Sequence, residues 1–217
     1  MRVHKVPSTP DDPSRAILNG IADLAESESL GGIDLTHGST VATNSLLTRR
    51  GARAALITTA GFEDVIEIGR QSRNNLYDLA YHRPPPLIPR PLRFGIKERL
   101  DELGNVVEPI SSREIKRLTE RIKKSGAEIA AVCFLHAYAN SAHEEKVAEV
   151  LERAGIAVSL SSHVLPEYRE YERTSTTCVN AYVSPMMSRY LGELERKMGP
   201  GRLRIMQSNG GVISSET

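Results

Sequence analysis

The segment THGSTVATN, residues 36–44, combines a histidine, a glycine and several hydroxyl and amide side chains at the predicted start of a helix. Backbone N–H groups at a helix N-terminus favour anions and oxyanions, and the ring of His37 can polarise a carbonyl group or transfer a proton near neutral pH. Thr40 and Asn44 are four residues apart and share one helix face. The alternative is that a hydroxyl group only caps the helix and the histidine is structural. The candidates in this segment are His37, Thr40 and Asn44 for catalysis and Gly38 and Ser39 for substrate binding.

A second segment, residues 168–180, carries two arginines and a series of hydroxyl side chains. Arg169, Arg173 and Thr177 repeat every four residues, so they fall on one face of a predicted helix. A guanidinium group beside hydroxyl groups suits a carboxylate or phosphate ligand. Arg173 and Thr177 are therefore candidates for substrate binding. The alternative is a solvated helix with glutamate–arginine pairs on its surface.

A third segment, QSNGG at residues 207–211, follows a predicted strand. Open α/β sheets bind ligands beyond the carboxyl ends of their strands, which makes Asn209 and Gly210 further candidates for substrate binding. The alternative is a plain turn, since Asn-Gly is a common turn former. If the first two segments line one site, His37 and Arg173 should approach within roughly 10–12 Å, because a single small ligand has to span them.

The sequence lacks the spacings that hold a metal ion or form the common phosphate loops. Its six histidines make no HxH or HExxH pattern, and neither GxxxxGK[ST] nor GxGxxG occurs. We therefore expect no metal site. Cys133 and Cys178 are far apart and form no CxxC pair, which predicts two reduced, buried thiols in a cytoplasmic protein.

Charge and hydropathy narrow the range of partners. The chain has 28 Lys and Arg against 27 Asp and Glu, so its net charge of +1 lacks the excess typical of nucleic-acid binding. The longest apolar run, residues 129–135, is far shorter than the roughly 18 residues that suggest a membrane span. We expect neither nucleic acid nor a membrane as a partner.

Hydrophobic periodicity predicts an α/β fold, because helices closed by glycine alternate with short apolar strands. Residues 83–91 hold five prolines, which predicts an extended connection without helix or central strand. The predicted strands lie at about 3–6, 33–36, 54–58, 94–100, 106–107, 129–135, 156–160 and 203–206. The predicted helices lie at about 13–27, 40–48, 61–68, 111–124, 141–154 and 183–198.

Taken in order, three stretches of this chain resemble the hydantoinase/oxoprolinase family, which includes hydantoinase A-type subunits, 5-oxoprolinase and the acetone carboxylase β subunit. They are THGSTVATNSLLTRRGARAALITTAGFEDVIEIGRQ, REYERTSTTCVNAYVSP and RIMQSNGGV. The resemblance implies an α/β fold, namely an actin-like ATPase (ribonuclease H-like) lobe fragment with an inserted small α/β unit. It implies a first-lobe body at residues 1–109, the small α/β unit at 110–165, and return helices with the start of the following hydantoinase A region at 166–217.

The resemblance also implies a function. Such enzymes use ATP to activate an amide or carbonyl carbon by phosphorylating its oxygen, before hydrolysis or carboxylation. We therefore expect an ATP-dependent hydrolase subunit that opens a small-molecule cyclic amide of the hydantoin or 5-oxoproline type, uses ATP and Mg²⁺, and pairs with a hydantoinase B-type subunit. The family's two Asp-x-Gly-Gly-Thr phosphate loops have no counterpart in this sequence. The cofactor-binding residues are thus unknown, and we expect a fragment of a longer subunit that is inactive alone and binds no cofactor.

Two other function hypotheses stay open. The first is a non-catalytic α/β binding module that docks onto a larger hydantoinase-type subunit, which the missing phosphate loops favour. The second is a thiolase-like acyltransferase with Cys178 as its nucleophile. That chemistry needs the thiol on a sharp strand-to-helix turn, whereas Cys178 lies in a helical pattern.

Overall fold

The computed structural model describes residues 2–9, 12–25, 33–72, 77–78, 80, 82–199, 202–207 and 209–214. Contacts divide the chain into unit 1, Met1–Arg50 with Met186–Thr217, and unit 2, Gly51–Pro185. The helices are α1 (Pro13–Ala25), α2 (Val41–Leu47), α3 (Val65–Ile68), α4 (Ser112–Ser125), α5 (Ala142–Arg153), α6 (Ser161–Val164) and α7 (Glu170–Met198). The strands are β1 (Leu35–His37), β2 (Ala54–Thr59), β3 (Arg93–Ile96), β4 (Arg99–Leu100), β5 (Val106–Glu108), β6 (Ile129–Cys133), β7 (Ala157–Leu160), β8 (Leu203–Met206) and β9 (Val212–Ser214).

Unit 1 contains a three-stranded sheet in the order β1-β8-β9. β1 runs parallel to β8, with His37 opposite Ile205, and β9 returns antiparallel to β8. The core forms around Tyr190, Leu194 and Leu203, and partly buried apolar side chains from α1, β1 and β8 pack against it. Because β1 and β8 are parallel, the loops that follow them begin at the same edge of this sheet.

Unit 2 is built on a parallel four-stranded sheet in the order β3-β2-β6-β7. Every residue of β2 and β6 is buried, as expected for the central strands of a parallel sheet. One core cluster joins α4 and α5 to the sheet through side chains such as Ile115, Phe134 and Val147. A second cluster joins Cys178 and Ala181 of α7 to β2 and β6. From β2 the chain continues to β3 on one side of the sheet, and from β6 it continues to β7 on the other side. The carboxyl ends of β2 and β6 therefore form the kind of switch point where α/β sheets bind ligands.

Most of the predicted elements are confirmed to within a few residues. At the start of α1, the carboxylate of Asp12 accepts a hydrogen bond of 3.0 Å from the backbone N–H of Ser14. Gly126 ends α4 with a φ of 72°, a left-handed conformation that favours glycine. Residues 101–105 connect the antiparallel strands β4 and β5. Ser111, the N-cap residue of α4, makes no side-chain cap hydrogen bond.

Two predicted elements are wrong, and two predicted helical segments are joined into one helix. Residues 3–6, which lie in the described part of the chain, form no strand. The predicted strand at 94–100 is divided into β3 and β4, which belong to different sheets. The helical segment predicted from the spacing of Arg169, Arg173 and Thr177 and the helix predicted at 183–198 form the single helix α7, which starts at Glu170 and continues through Pro185. Proline lacks a backbone donor, but buried side chains on both sides of it, such as Ala181 and Leu194, support the longer helix.

Residues 82–89 form neither helix nor strand, as predicted, and a short 3₁₀ helix follows at Arg90–Leu92. Unit 2 joins residues on both sides of residue 109, because β2 pairs with β6. The division of the chain at residues 109 and 165 stays a prediction.

Candidate functional site

The first and third candidate segments meet at the carboxyl-terminal edge of the unit 1 sheet. His37 is the last residue of β1, and Met206 is the last residue of β8. A Cβ atom built on Gly38 would lie 3.9 Å from Cβ and Sδ of Met206. The two loops are therefore neighbours, and this edge is the candidate site of unit 1.

His37 is hydrogen-bonded to Tyr190 of α7, a residue that no motif in the sequence indicates as functional. The Nε2 atom of His37 lies 2.6 Å from the Tyr190 hydroxyl, and the two rings meet edge to face with centroids 5.7 Å apart. Burial lowers the pKa of His37 and raises the pKa of Tyr190, an increase that a hydrogen bond from Ser39 partly offsets. The ring is therefore neutral near pH 7. When the phenol donates to Nε2, the proton of the ring resides on Nδ1, which can donate to a carbonyl oxygen.

The start of α2 organises the other candidates of the first segment. The Ser39 hydroxyl accepts a hydrogen bond of 3.1 Å from the backbone N–H of Val41. Thr40 is the N-cap residue and makes no side-chain cap hydrogen bond, but its hydroxyl lies 3.4 Å from the amide nitrogen of Asn44. Thr40 and Asn44 thus lie together on the exposed surface, as their spacing indicates. Their roles in catalysis, and the role of Ser39 in binding, stay predictions.

The third segment closes the hairpin between β8 and β9. The backbone N–H of Gln207 donates to the carbonyl of Gly211, and the N–H of Gly210 donates back to the carbonyl of Gln207. Gly210 has a φ of 84°, and the Asn209 side chain accepts a hydrogen bond of 2.8 Å from the N–H of Gly211. Both candidates therefore serve the turn itself. Their role in substrate binding stays a prediction.

Arg173 and Thr177 lie in unit 2 and are fully buried. The Arg173 guanidinium donates to the Ser161 hydroxyl at 3.0 Å, pairs with Glu170, and lies 5.5 Å from the centroid of the Tyr138 ring. Thr177 donates its hydroxyl hydrogen to the carbonyl of Arg173 within α7. The alternative of a solvated surface pair is wrong for Arg173, because its charge lies inside the unit.

The proposed approach of His37 to Arg173 involves one residue from each unit. Arg173 forms an ion pair with Glu170 and a hydrogen bond with Ser161 in unit 2, and His37 has its contact with Tyr190 in unit 1. A shared ligand for the two side chains stays a prediction, as does substrate binding by Arg173 and Thr177.

Both cysteines are buried and reduced, as predicted. Burial raises the pKa of Cys133 to about 11 and raises the pKa of Cys178 as well. The Cys133 sulfur contacts the Thr174 hydroxyl at 3.1 Å. A thiolate nucleophile is therefore disfavoured at neutral pH, which argues against the acyltransferase hypothesis.

Among the residues with described coordinates, no group of three or more His, Cys, Asp or Glu side chains is placed to hold a metal ion. Within the same residues, no helix has both the length and the apolar character needed to span a bilayer.

The neutral state of His37 predicts a pH effect. We expect its ring signals in an NMR titration to have a midpoint below the ordinary value of 6.5, because burial disfavours the charged form. The unfolded chain binds the proton more readily, so the stabilising contribution is complete above pH 6.5 and is lost as the pH falls through the folded pKa. His37→Gln should remove this part of the pH dependence of unfolding. A midpoint above 6.5 would contradict the described environment.

The chain matches two family models and is similar in sequence to known proteins. The model of the hydantoinase/oxoprolinase N-terminal region matches residues 1–155, and the hydantoinase/oxoprolinase model matches residues 173–217. Caprolactamase subunit alpha of Pseudomonas jessenii is 34% identical over 98% of this chain and 33% of its own length. 5-Oxoprolinase 1 of Arabidopsis thaliana is 32% identical over 81% of this chain and 16% of its own length.

Solved structures agree with the family models. The crystal structure of the ATP-dependent caprolactamase of Pseudomonas jessenii matches 99% of this chain and 33% of its own, with a TM-score of 0.86 and 33% identity. The nucleotide-free structure of acetone carboxylase matches 97% of this chain and 33% of its own, with a TM-score of 0.80 and 26% identity. The chain spans about a third of the length of these proteins and has the mixed α/β fold of hydantoinase-type, actin-like ATPase-related proteins. It therefore belongs to the hydantoinase/oxoprolinase family.

Proposed function

We propose that this chain works within an ATP-dependent amidohydrolase subunit that opens a cyclic amide of the hydantoin or 5-oxoproline type. The observation that carries the proposal is the 34% identity to caprolactamase subunit alpha across 98% of the chain. A second relative, 5-oxoprolinase 1, is likewise named for a cyclic amide. Caprolactamase alpha is one subunit of its enzyme, which supports a partner subunit here, and we propose the hydantoinase B type.

His37 is the residue that we propose to act on the amide. A lactam carbonyl is a weak electrophile, so a donor aimed at its oxygen favours attack at the carbon. The Nδ1–H group of a neutral ring held by Tyr190 is such a donor. Thr40 and Asn44 lie together at the start of α2 and would offer further hydrogen bonds to the ring of the substrate.

ATP and Mg²⁺ belong to the proposed reaction, but the described residues do not fit their phosphate groups. The Gly31-Gly32 pair lies outside the described residues, and neither it nor Gly210-Gly211 follows the Asp-x-Gly-Gly order. In the second pair, Gly210 donates its N–H to Gln207 and Gly211 donates to Asn209, so both backbone donors are already used. We therefore assign no step of phosphoryl transfer to residues of this chain.

Because the described residues do not fit the phosphate groups of ATP, we expect the 217-residue chain to bind nucleotide weakly. Phosphoryl transfer depends on backbone donors, a basic group and a carboxylate-held Mg²⁺, all in fixed positions. We expect calorimetry with Mg-ATP to show no dissociation constant below the millimolar range, roughly −4 kcal/mol of binding free energy. A micromolar constant, or phosphate release above background, would contradict this expectation.

The proposed function is tested with the complete subunit that contains this chain, purified with a hydantoinase B-type partner. Hydantoin and 5-oxoproline are supplied with and without Mg-ATP, and both the ring-opened acid and ADP are quantified. We expect the two products to form in equal amounts and only when ATP is present. Ring opening without ATP would contradict the proposal, and ATP-dependent carboxylation of a ketone would move the protein to the carboxylase branch of the family.

A second candidate function is a non-catalytic module that docks onto a larger hydantoinase-type subunit. The absence of any Asp-x-Gly-Gly-Thr motif from the sequence favours it. The same assay separates the two candidates when the chain is added in trans to a hydantoinase-type enzyme. If the chain docks onto the enzyme and the activity does not depend on His37, the result supports the non-catalytic module.

A further inference from the structure

A buried carboxylate and a histidine meet in unit 2, and the function proposed above uses neither. Glu98 follows β3 and is 2% exposed, and His143 lies in the first turn of α5 and is 7% exposed. An oxygen of the Glu98 carboxylate lies 2.7 Å from Nδ1 of His143. The other oxygen accepts a hydrogen bond from the hydroxyl of Thr59, the last residue of β2.

The hydrogen bonds around Glu98 determine where each proton resides. The Thr59 hydroxyl accepts the backbone N–H of Leu135 at 3.0 Å, so its own hydrogen is directed at Glu98. An ionised carboxylate only accepts, and therefore the nitrogen of His143 that faces Glu98 must carry a hydrogen. In a neutral ring this leaves the lone pair on Nε2.

The second ring nitrogen of His143, Nε2, is not among the fully buried side-chain atoms that lack a partner in the described residues. It has no hydrogen-bond partner in the part of the chain that the structure describes, and the fully buried unpartnered side-chain atoms there are Ser162 Oγ and Arg173 Nε. The 8% exposure of the His143 side chain is consistent with one ring edge that reaches water. A carboxylate that orients a histidine whose other nitrogen is free is the arrangement that holds a general base.

The position of the pair in the fold also points to a ligand. Thr59, Glu98 and Leu135 lie at or just beyond the carboxyl ends of β2, β3 and β6. The order of strands reverses between β2 and β6, and ligands of open α/β sheets bind at the carboxyl ends beside such a reversal.

We propose that His143 and Glu98 form a proton-transfer site at this edge of unit 2, with Nε2 of His143 as the base and Glu98 as a positioning residue. Its ligand is a small polar molecule that presents an acidic O–H or N–H group, water included. In the step, that O–H or N–H bond breaks, its proton bonds to Nε2, and the electron pair stays on the oxygen or nitrogen of the ligand. The proposal stands independently of the cyclic-amide function.

Nitrogen-15 NMR of the imidazole rings in the full chain tests where the proton resides. At about pH 8 we expect His143 to carry its hydrogen on Nδ1 with Nε2 unprotonated. Glu98→Gln should shift the tautomer ratio toward Nε2–H by roughly tenfold, because a neutral amide is a weaker acceptor than a carboxylate. A wild-type ring that is protonated on Nε2 alone would overturn the proposal.

Diethyl pyrocarbonate tests whether the lone pair is accessible and reactive. The Nε2 atom attacks a carbonyl carbon, an N–C bond forms, and ethyl carbonate leaves. We expect peptide mass spectrometry to find His143 modified in the folded chain, with a rate that falls roughly threefold or more in Glu98→Gln. The exposed His163 is the reference in the same sample. Modification of His163 without His143 would overturn the proposal, and both wild-type measurements remain decisive if the variant fails to fold.

Discussion

Glu144→Ala should lower the free energy of unfolding of unit 2 by about 3–5 kcal/mol, because it leaves several buried hydrogen-bond donors without their acceptor. Glu144 is fully buried in α5, and its carboxylate accepts the backbone N–H groups of Phe134 and Ser162 at 3.0 and 2.9 Å. It also accepts the hydroxyl of Ser161 at 2.6 Å. Alanine would leave these buried donors without a partner, and each such loss costs about 1–3 kcal/mol.

Glu145→Ala is the matched control, because Glu145 is the next residue of the same helix and is exposed. Its carboxylate accepts the Ser141 hydroxyl at 2.6 Å in an exposed contact, so its loss should cost less than about 1 kcal/mol. The chain contains no tryptophan, and urea unfolding is therefore followed by circular dichroism. Hydrogen exchange in the peptide of β6 then reports on unit 2 separately. Equal destabilisation by the two variants would show that the buried hydrogen bonds of Glu144 contribute nothing.

The intermediate Glu144→Gln separates hydrogen bonding from charge. An amide offers one acceptor oxygen and one NH₂ group, and the latter must face a donor at one of the two backbone contacts. We expect a cost between those of the alanine variant and the control. A cost equal to that of alanine would indicate that the negative charge itself stabilises the unit.

Local elements of this fold are encoded by local sequence, and the sequence predicts them well. The apolar run at 129–133 has to be buried on both faces, and Gly126 has the freedom to end α4 with a positive φ. Pairing between distant strands is different. Nothing in the short segments Leu35–His37 and Leu203–Met206 specifies that they pair with each other, since many apolar strands have compatible edges.

The polar interior explains why the candidate site is only partly predictable. The spacing of Arg173 and Thr177 predicts a binding face, but the burial of Arg173 depends on Glu170 and Ser161, and no spacing rule reveals such contacts. His143 and Glu144 are adjacent in an ordinary amphipathic helix, and only the fold gives each of them a buried partner. Tyr190 lacks a signal for the same reason, because its partner is 153 residues away.

His37→Ala in the complete enzyme should reduce the turnover number of ATP-dependent ring opening by about 10²-fold or more, the loss typical of a removed acid–base or polarising group. This prediction rests on the proposed function. The half-buried ring is neutral and is oriented by the Tyr190 hydroxyl at 2.6 Å, so its Nδ1–H can donate to the carbonyl oxygen as negative charge develops. The effect should appear in kcat more than in KM, because the charge develops only in the transition state.

Tyr190→Phe and Leu47→Ala are the companion variants. Removal of the phenol hydroxyl leaves the ring of His37 in place but unoriented, and we expect a loss of roughly tenfold, smaller than that of His37→Ala. Leu47 lies on α2 in the same unit and is 77% exposed, so its replacement should leave the turnover number unchanged. If His37→Ala retains activity within about threefold of wild type while its circular dichroism spectrum is native, His37 serves only the packing of unit 1, and the chemistry must come from other residues.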